Sequence, residues 1–309
     1  MTRIIRPAPM PEELALSLAG RLARWNGFDL SGELWTEVRA TLSAYAIPAD
    51  PLSKFECLAA LCEMPIERFV ARHSMLPLRG AFDAKAECKT LAAPRAVSDA
   101  SGFRSLRAGA YLCRSCVAED LDFHGYAWWR RDHQAPGQMW CPKHGTTLLH
   151  HPSPECLWHS PVDALDAACE VKVQPLSGLK GSDIISRFLA IQDGLLNAGR
   201  RLNRCGVSKL LAQREFELSN GGPWRCQSEK LLAVIDIAWL ETIYPGVVRG
   251  TPRFRVCVAA ALRGYAAPVA LEAYVLLAAL MWDSADDALI RMLSSKGSYT
   301  ASKSTSIQF

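Results

Sequence analysis

Four residues in this sequence have the types and the spacing to hold a metal ion. Cys113 and Cys116 stand two residues apart in YLCRSCVAED, and Cys141 and His144 repeat that spacing in WCPKHG. Two intervening residues let one tight turn aim both side chains at a single ion. Three thiolates and one imidazole make a tetrahedral set that suits Zn2+, whose filled d shell imposes no other geometry. Four protein ligands leave no open position for water, so the expected ion is structural. The 24 residues between the two pairs exceed the insert of a DNA-reading two-Cys, two-His finger. They suit a loop held closed at its base.

Other chemistry for these residues lacks its parts. A thioredoxin-like pair would use only Cys113 and Cys116, without a β-α-β pattern around them. A c-type haem site needs His directly after the second Cys, where Val117 stands. A zinc deaminase needs an H-x-E partner, which is absent. Cys156 and His159 repeat the Cys-x2-His spacing without a matching pair, so a second metal site competes with a buried thiol beside a surface imidazole.

Inside the loop lies HGYAWWRRDHQAPGQ. Arg130, Arg131, His133 and Gln134 are rich in donors and are flanked by Trp128, Trp129 and Trp140. Arginines beside aromatic rings can grip phosphates or stack on bases. Alternatively the tryptophans form a small core and the arginines are solvated. DHQAPG is also like the DH-x-x-P start of an HNH nuclease, but that enzyme needs a later Asn, and none occurs between Asp132 and Asn197. No Gly-Lys-Ser or Gly-Lys-Thr run marks a nucleotide-binding loop. The expectation is a protein that is not an enzyme.

The elements that must position these groups are mainly helical. Residues 12–26 place Leu14, Leu18, Leu22 and Trp25 on one face, with Gly27 as a stop. Residues 33–46 make a second helix. Residues 53–72 give two helices around a turn that contains Pro65, a helix-turn-helix outline or a plain helical hairpin. Helices are also expected over 182–198, with Ile184, Phe188, Ile191 and Leu195 as the stripe, over 227–243, and over 269–282 and 284–293, the last capped by Ser284. LAAL at 277–280 echoes LAAL at 58–61, each before a turn and a short helix. No β-rich region is expected beyond a few short strands around the metal loop. The predicted organisation is a helical N-terminal domain over 1–110, a zinc-binding module over 111–151, an irregular connector over 152–181, a helical C-terminal domain over 182–293 and a disordered tail over 294–309.

The chain of 309 residues is half hydrophobic and a fifth charged, an ordinary profile for a soluble globular protein. It shows no secretory signal, and its most apolar segment, 267–282, is too short to span a bilayer. A cytoplasmic setting is expected, in which the 11 cysteines are thiols or metal ligands. Net charge is +4, but from Lys172 to Arg263 Lys and Arg outnumber Asp and Glu 14 to 7. That stretch carries +7 and the rest −3. Arg200, Arg201 and Arg204 concentrate the charge at the exit of the 182–198 helix. A basic half suits a polyanionic partner, or is simply a solvated surface.

The metal segment resembles the TniQ family. Its pattern has C-x-x-C followed by acidic residues, then W-R-x-x-H-Q-x-P-G, then C-x-x-H-G before a leucine, and all parts occur here in order. ELALSLAGRLARWNG also resembles the family's E-S-L-x-S-x-L-x-R-L-A-x-x-N-G opening, with Ala15 and the Leu16–Leu18 stretch departing where Ser is usual. The resemblance covers about residues 10 to 150. It implies an accessory factor of transposition that helps choose the target site. The implied partners are an AAA+ ATPase, a transposase, and either target DNA or an RNA-guided complex on which such proteins dock as homodimers. A DNA-bound role implies a nucleoid-associated protein. A zinc-stabilised adaptor that touches only other proteins is the competing reading.

Overall fold

The structure is a computed structural model that describes residues 4–29, 32–50, 52–82, 99–171, 176–219, 227–250, 252–263 and 270–296. The described chain is mainly helical. The helices are α1 Ala15–Asn26, α2 Glu33–Ala44, α3 Lys54–Leu61, α4 Ile66–His73, α5 Leu76–Arg79, α6 Asp99–Gly102 and α7 Arg114–His124. After the metal loop come α8 Leu176–Lys180, α9 Asp183–Asn197, α10 Arg204–Ser219, α11 Gln227–Val234, α12 Ile237–Ile243, α13 Arg253–Arg263, α14 Leu271–Met281 and α15 Ala285–Ser294. Strands β1 Ala110–Leu112, β2 Leu149–His151 and β3 Cys169–Glu170 form one antiparallel sheet in that order.

Local chemistry explains most of the boundaries. Gly27 takes a left-handed conformation, φ 70°, and its N–H closes α1, as the stop signal predicts. Ser53 and Glu56 cap α3 reciprocally. Pro65 precedes α4 directly, and Ser182 and Ser284 cap α9 and α15 through their hydroxyls. α1 starts later than the periodicity predicts, at Ala15, because Glu12 is itself left-handed at φ 56° and Glu13 turns back to accept from the Met10 N–H. The expected helix over 227–243 is two helices, α11 and α12, since Asp236 caps a fresh start at the Trp239 N–H.

Two apolar cores organise the molecule. In the N-terminal one, Leu18, Leu22, Leu34, Val38, Phe55 and Phe69 are fully buried. Phe55 and Phe69 meet edge to face at 5.1 Å, which joins α3 to α4. Leu14 is buried too, but Trp25 is 40% exposed and stands off the predicted stripe, with its ring against Tyr126. The larger core runs through α9, α10, α13 and α14 and continues without a break into the metal loop through Trp129 and Met139. Phe188 and Trp239 meet at its centre, and the Trp239 indole donates to the Gly137 carbonyl at 2.9 Å. Gly137 has φ 77°, and a Cβ there would lie 2.9 Å from the Trp239 ring, so only glycine permits this approach. The apolar segment over 267–282 becomes α14, whose residues Ala273–Ala279 are all buried within the protein. No described helix is long and apolar enough to cross a membrane.

Helices α7, α10 and α13 were not legible as periodic segments. In α10, Val207 and Leu211 are buried while Phe216 and Leu218 are exposed, so apolar residues fall on both faces. Among its described residues the 152–181 segment carries a 3-10 turn over Pro154–Trp158, β3 and α8. The tail from residue 297 onward and the 83–98 part of the N-terminal domain lie outside the described residues.

Candidate metal centre

The sheet closes the base of the loop. Ala110 pairs with His151 and Leu112 with Leu149, and inside them Trp140 bridges Thr147. Cys113 follows β1 directly and is the residue before α7. Cys116 sits in the first turn of α7, facing the same way. Cys141 and His144 flank a tight turn in which the Gly145 N–H donates to the Cys141 carbonyl at 2.8 Å and the His144 N–H reaches the Cys141 sulfur at 3.4 Å.

All four ligand atoms lie within 4.8 Å of one another. His144 Nδ1 is 3.5 Å from the Cys113 Sγ, 3.4 Å from the Cys116 Sγ and 3.5 Å from the Cys141 Sγ, and Cys116 and Cys141 are 3.6 Å apart. These four spacings match edges of a tetrahedron with bonds of about 2.3 Å to sulfur and about 2.0 Å to nitrogen. The three cysteines are buried and share a small cluster with Leu148. The set could hold a metal ion. The hydrogen bond between Cys116 and Cys141 pushes the first thiol up and draws the second down.

The outer partners were not visible in the spacing of the ligands alone. Glu119 accepts from His144 Nε2 at 2.8 Å, which leaves Nδ1 to face the sulfurs. This bond holds the imidazole up at about 9, and metal binding must displace a proton from Nδ1. Lys143 also pairs with Glu119. Thr146 lies 3.3 Å from the Cys113 sulfur. The one signal for Glu119 was its place three residues after Cys116, which on a helix puts both on one face; α7 itself had to be recognised first.

The donor-rich run in the same loop is placed differently. Arg131 is fully buried. Its guanidinium pairs with Glu12 at 2.6 Å and donates to Asn197 at 3.0 Å and to the Ala71 carbonyl. Gln134 is also fully buried, and its amide exchanges hydrogen bonds with both backbone groups of Tyr111, at 3.0 and 2.7 Å, as a neighbouring strand would. His133 is buried beside Cys141, whose thiol it helps hold down. These three residues are therefore not on the surface where contact to a nucleic acid was expected. Arg130 pairs with Asp120 at 2.5 Å, with its guanidinium over the Trp128 ring. Trp128 and Trp129 are core residues, and the Trp129 indole donates to the His159 carbonyl.

Arg200 is exposed after α9, and Arg204 begins α10 with its guanidinium 5.3 Å above the Phe82 ring. Arg201 is half-buried between them. Cys156 is buried, His159 is exposed, and neither joins a metal-competent cluster among the described residues.

The N-terminal strand of chain is built into the same unit. The Leu14 N–H donates to the Trp129 carbonyl at 2.9 Å, and the Arg131 N–H donates to the Glu12 carbonyl at 2.7 Å. Comparison with known proteins follows this boundary. The Transposon Tn7 transposition protein TnsD of Escherichia coli is 26% identical over 157 residues, which are 46% of this chain and 31% of that protein. The chain thus matches less than a third of the length of that relative. The TniQ family profile matches residues 4–148, just under half of the chain, from the first described strand of chain through α1–α7 to Leu148 beside the metal cluster, and over these residues the chain is similar to that family.

Proposed function

We propose that the chain is a non-enzymatic accessory factor of transposition that helps select the target site. The observation that carries this reading is the coincidence of the family match with a complete three-cysteine, one-histidine cluster inside it. The similarity to a transposition protein supports the same process. In this reading the ion is Zn2+, and it is structural. It fixes α7 and the 141–148 turn against the sheet. The surface so fixed, together with the helical domains on either side of the 111–151 module, contacts target DNA or a DNA-bound complex. An AAA+ ATPase and a transposase then act at that place.

Contact to DNA would come from exposed cations. Arg200, with Arg201 and Arg204 beside it, is the best supported of the residues singled out by charge. Arg68 and Arg72 on the exposed side of α4 join them. Phosphate contacts of this kind weaken steeply with salt. The adaptor reading keeps one specific support: Arg131 and Gln134 are spent on intramolecular bonds, and His133 is buried with them.

The test is a transposition assay with the other proteins of the element, in which insertion sites are sequenced with and without this chain. Insertions are expected to concentrate at one class of site only when the chain is present, and not with Cys141→Ser. An unchanged distribution contradicts the target-selection reading. Binding to duplex DNA, measured at low and moderate salt, separates direct contact from the adaptor role.

A further inference from the structure

Beside the metal cluster, against the acidic stretch of α7 and with Glu119 and Lys143 in its wall, lies an open cavity of about 520 Å3. Its wall includes Asp120, Asp122, Phe123, His124, Trp128 and Arg130. Asp120 is 4% exposed, and its Oδ1 is held by Arg130, yet its buried Oδ2 has no hydrogen-bond partner. The Arg130 Nε likewise lacks an acceptor. A buried carboxylate oxygen without a donor costs about 1–3 kcal/mol or more, so an acceptor and a donor left open at one cavity wall ask for a ligand. Burial raises the Asp120 carboxyl to about 6 against the pull of Arg130, as expected of a carboxylate with too few donors.

The rim adds apolar surface and charge. Phe123 is 86% exposed, and its ring continues through His124 to Trp128, with centroid spacings of 5.4 Å at both steps. The cations of the wall are already engaged, Arg130 by Asp120 and Lys143 by Glu119. Asp122 remains as an exposed carboxylate. The cavity therefore carries a net negative charge, which repels a phosphodiester chain and attracts a cation.

We propose that this cavity docks a basic segment of a protein partner, with a Lys or Arg head group donating to the Asp120 Oδ2. The Arg130 Nε donates to a backbone carbonyl of the same segment. The aliphatic stem of the basic residue and a neighbouring apolar side chain lie on Phe123, His124 and Trp128. None of the cations proposed for DNA lines this cavity, so either proposal can fail alone.

The experiment is fluorescence anisotropy of the zinc-loaded full chain with a labelled peptide of alternating Lys and Leu, and with its Glu and Leu counterpart. The Lys peptide is expected to bind and the Glu peptide to bind at least tenfold more weakly. Asp120→Asn keeps the side-chain shape and is expected to lower Lys-peptide affinity about tenfold. Phe123→Ser and Asp122→Asn, both on the exposed rim, are expected to lower it severalfold with metal content and thermal melting unchanged. Absence of Lys-peptide binding overturns the proposal. So does binding that none of the three variants changes. Loss of duplex DNA binding in Phe123→Ser or Asp122→Asn overturns it in favour of a nucleic acid on this face.

Discussion

Two groups of residues in one loop had comparable claims to chemistry, and they came to different ends. The four ligands converge to within 4.8 Å. The Arg131, His133 and Gln134 run, a few residues before Cys141, is buried, with Arg131 and Gln134 bonded within the chain. Both groups are rich in polar atoms. They differ in how far each must reach for a partner. Each ligand finds one three residues away, so spacing alone defines half of the site. Arg131 finds Glu12 and Asn197, which stand 119 and 66 residues away. A short-range pattern can be read from the chain, whereas a guanidinium's destination depends on which helices pack around it.

The largest expected effect lies on the ligand side. Structural zinc contributes about 10–16 kcal/mol to small zinc modules. Cys141→Ser is therefore expected to abolish stoichiometric metal binding and the cooperative melting of the 4–148 unit, read by elemental analysis and calorimetry. Retention of both would end the distinction drawn here. On the other side, Arg131→Ala leaves Glu12 and two acceptors without their buried partner and is expected to cost about 3–5 kcal/mol in denaturant unfolding. A DNA contact at a solvated arginine would instead leave stability within about 0.5 kcal/mol.

His73 sharpens the view of how buried polar groups behave. Its Nδ1 donates to the Glu13 carbonyl at 2.8 Å, and burial pushes it down from 6.5 to about 4. The unfolded chain thus takes up a proton more readily than the folded one between those values. The stabilising share is complete above pH 6.5 and is lost as pH falls toward 4, by about 3 kcal/mol at most. In chemical denaturation, His73→Asn, which can keep the donor, is expected to show a shallower loss of stability over that window than the parent chain. Equal slopes would remove His73 from the account. A smaller effect is expected for Glu119→Gln, which weakens the bond that orients His144 and should lower metal affinity about 10–100-fold in a chelator competition. The smallest is Arg200→Ala. Stability should stay within about 0.5 kcal/mol, while the salt dependence of DNA binding should fall by about one unit of slope.

The legible parts share a cause. The stop at Gly27, the cap at Ser284, and the Cys and His pairs all act within a few residues of themselves. The Ile184, Phe188, Ile191 and Leu195 stripe was legible because one face of α9 is buried along its whole length. α10 was missed because its apolar residues point to both the core and the solvent. α7 was missed because its sequence follows metal-binding and acidic needs rather than an apolar stripe. With α7 went Glu119 and Asp120, whose roles exist only on a helix. The continuity of the larger core from α14 into Trp129 depends on Gly137 meeting Trp239, a contact across 102 residues.

X-ray absorption at the zinc edge of the purified full chain tests the central claim most directly. The account predicts one ion per chain with three sulfur neighbours at about 2.3 Å, one nitrogen neighbour at about 2.0 Å and no oxygen. Fewer than three sulfurs, or a water oxygen in the first shell, would contradict a closed structural centre and reopen the loop to catalytic chemistry.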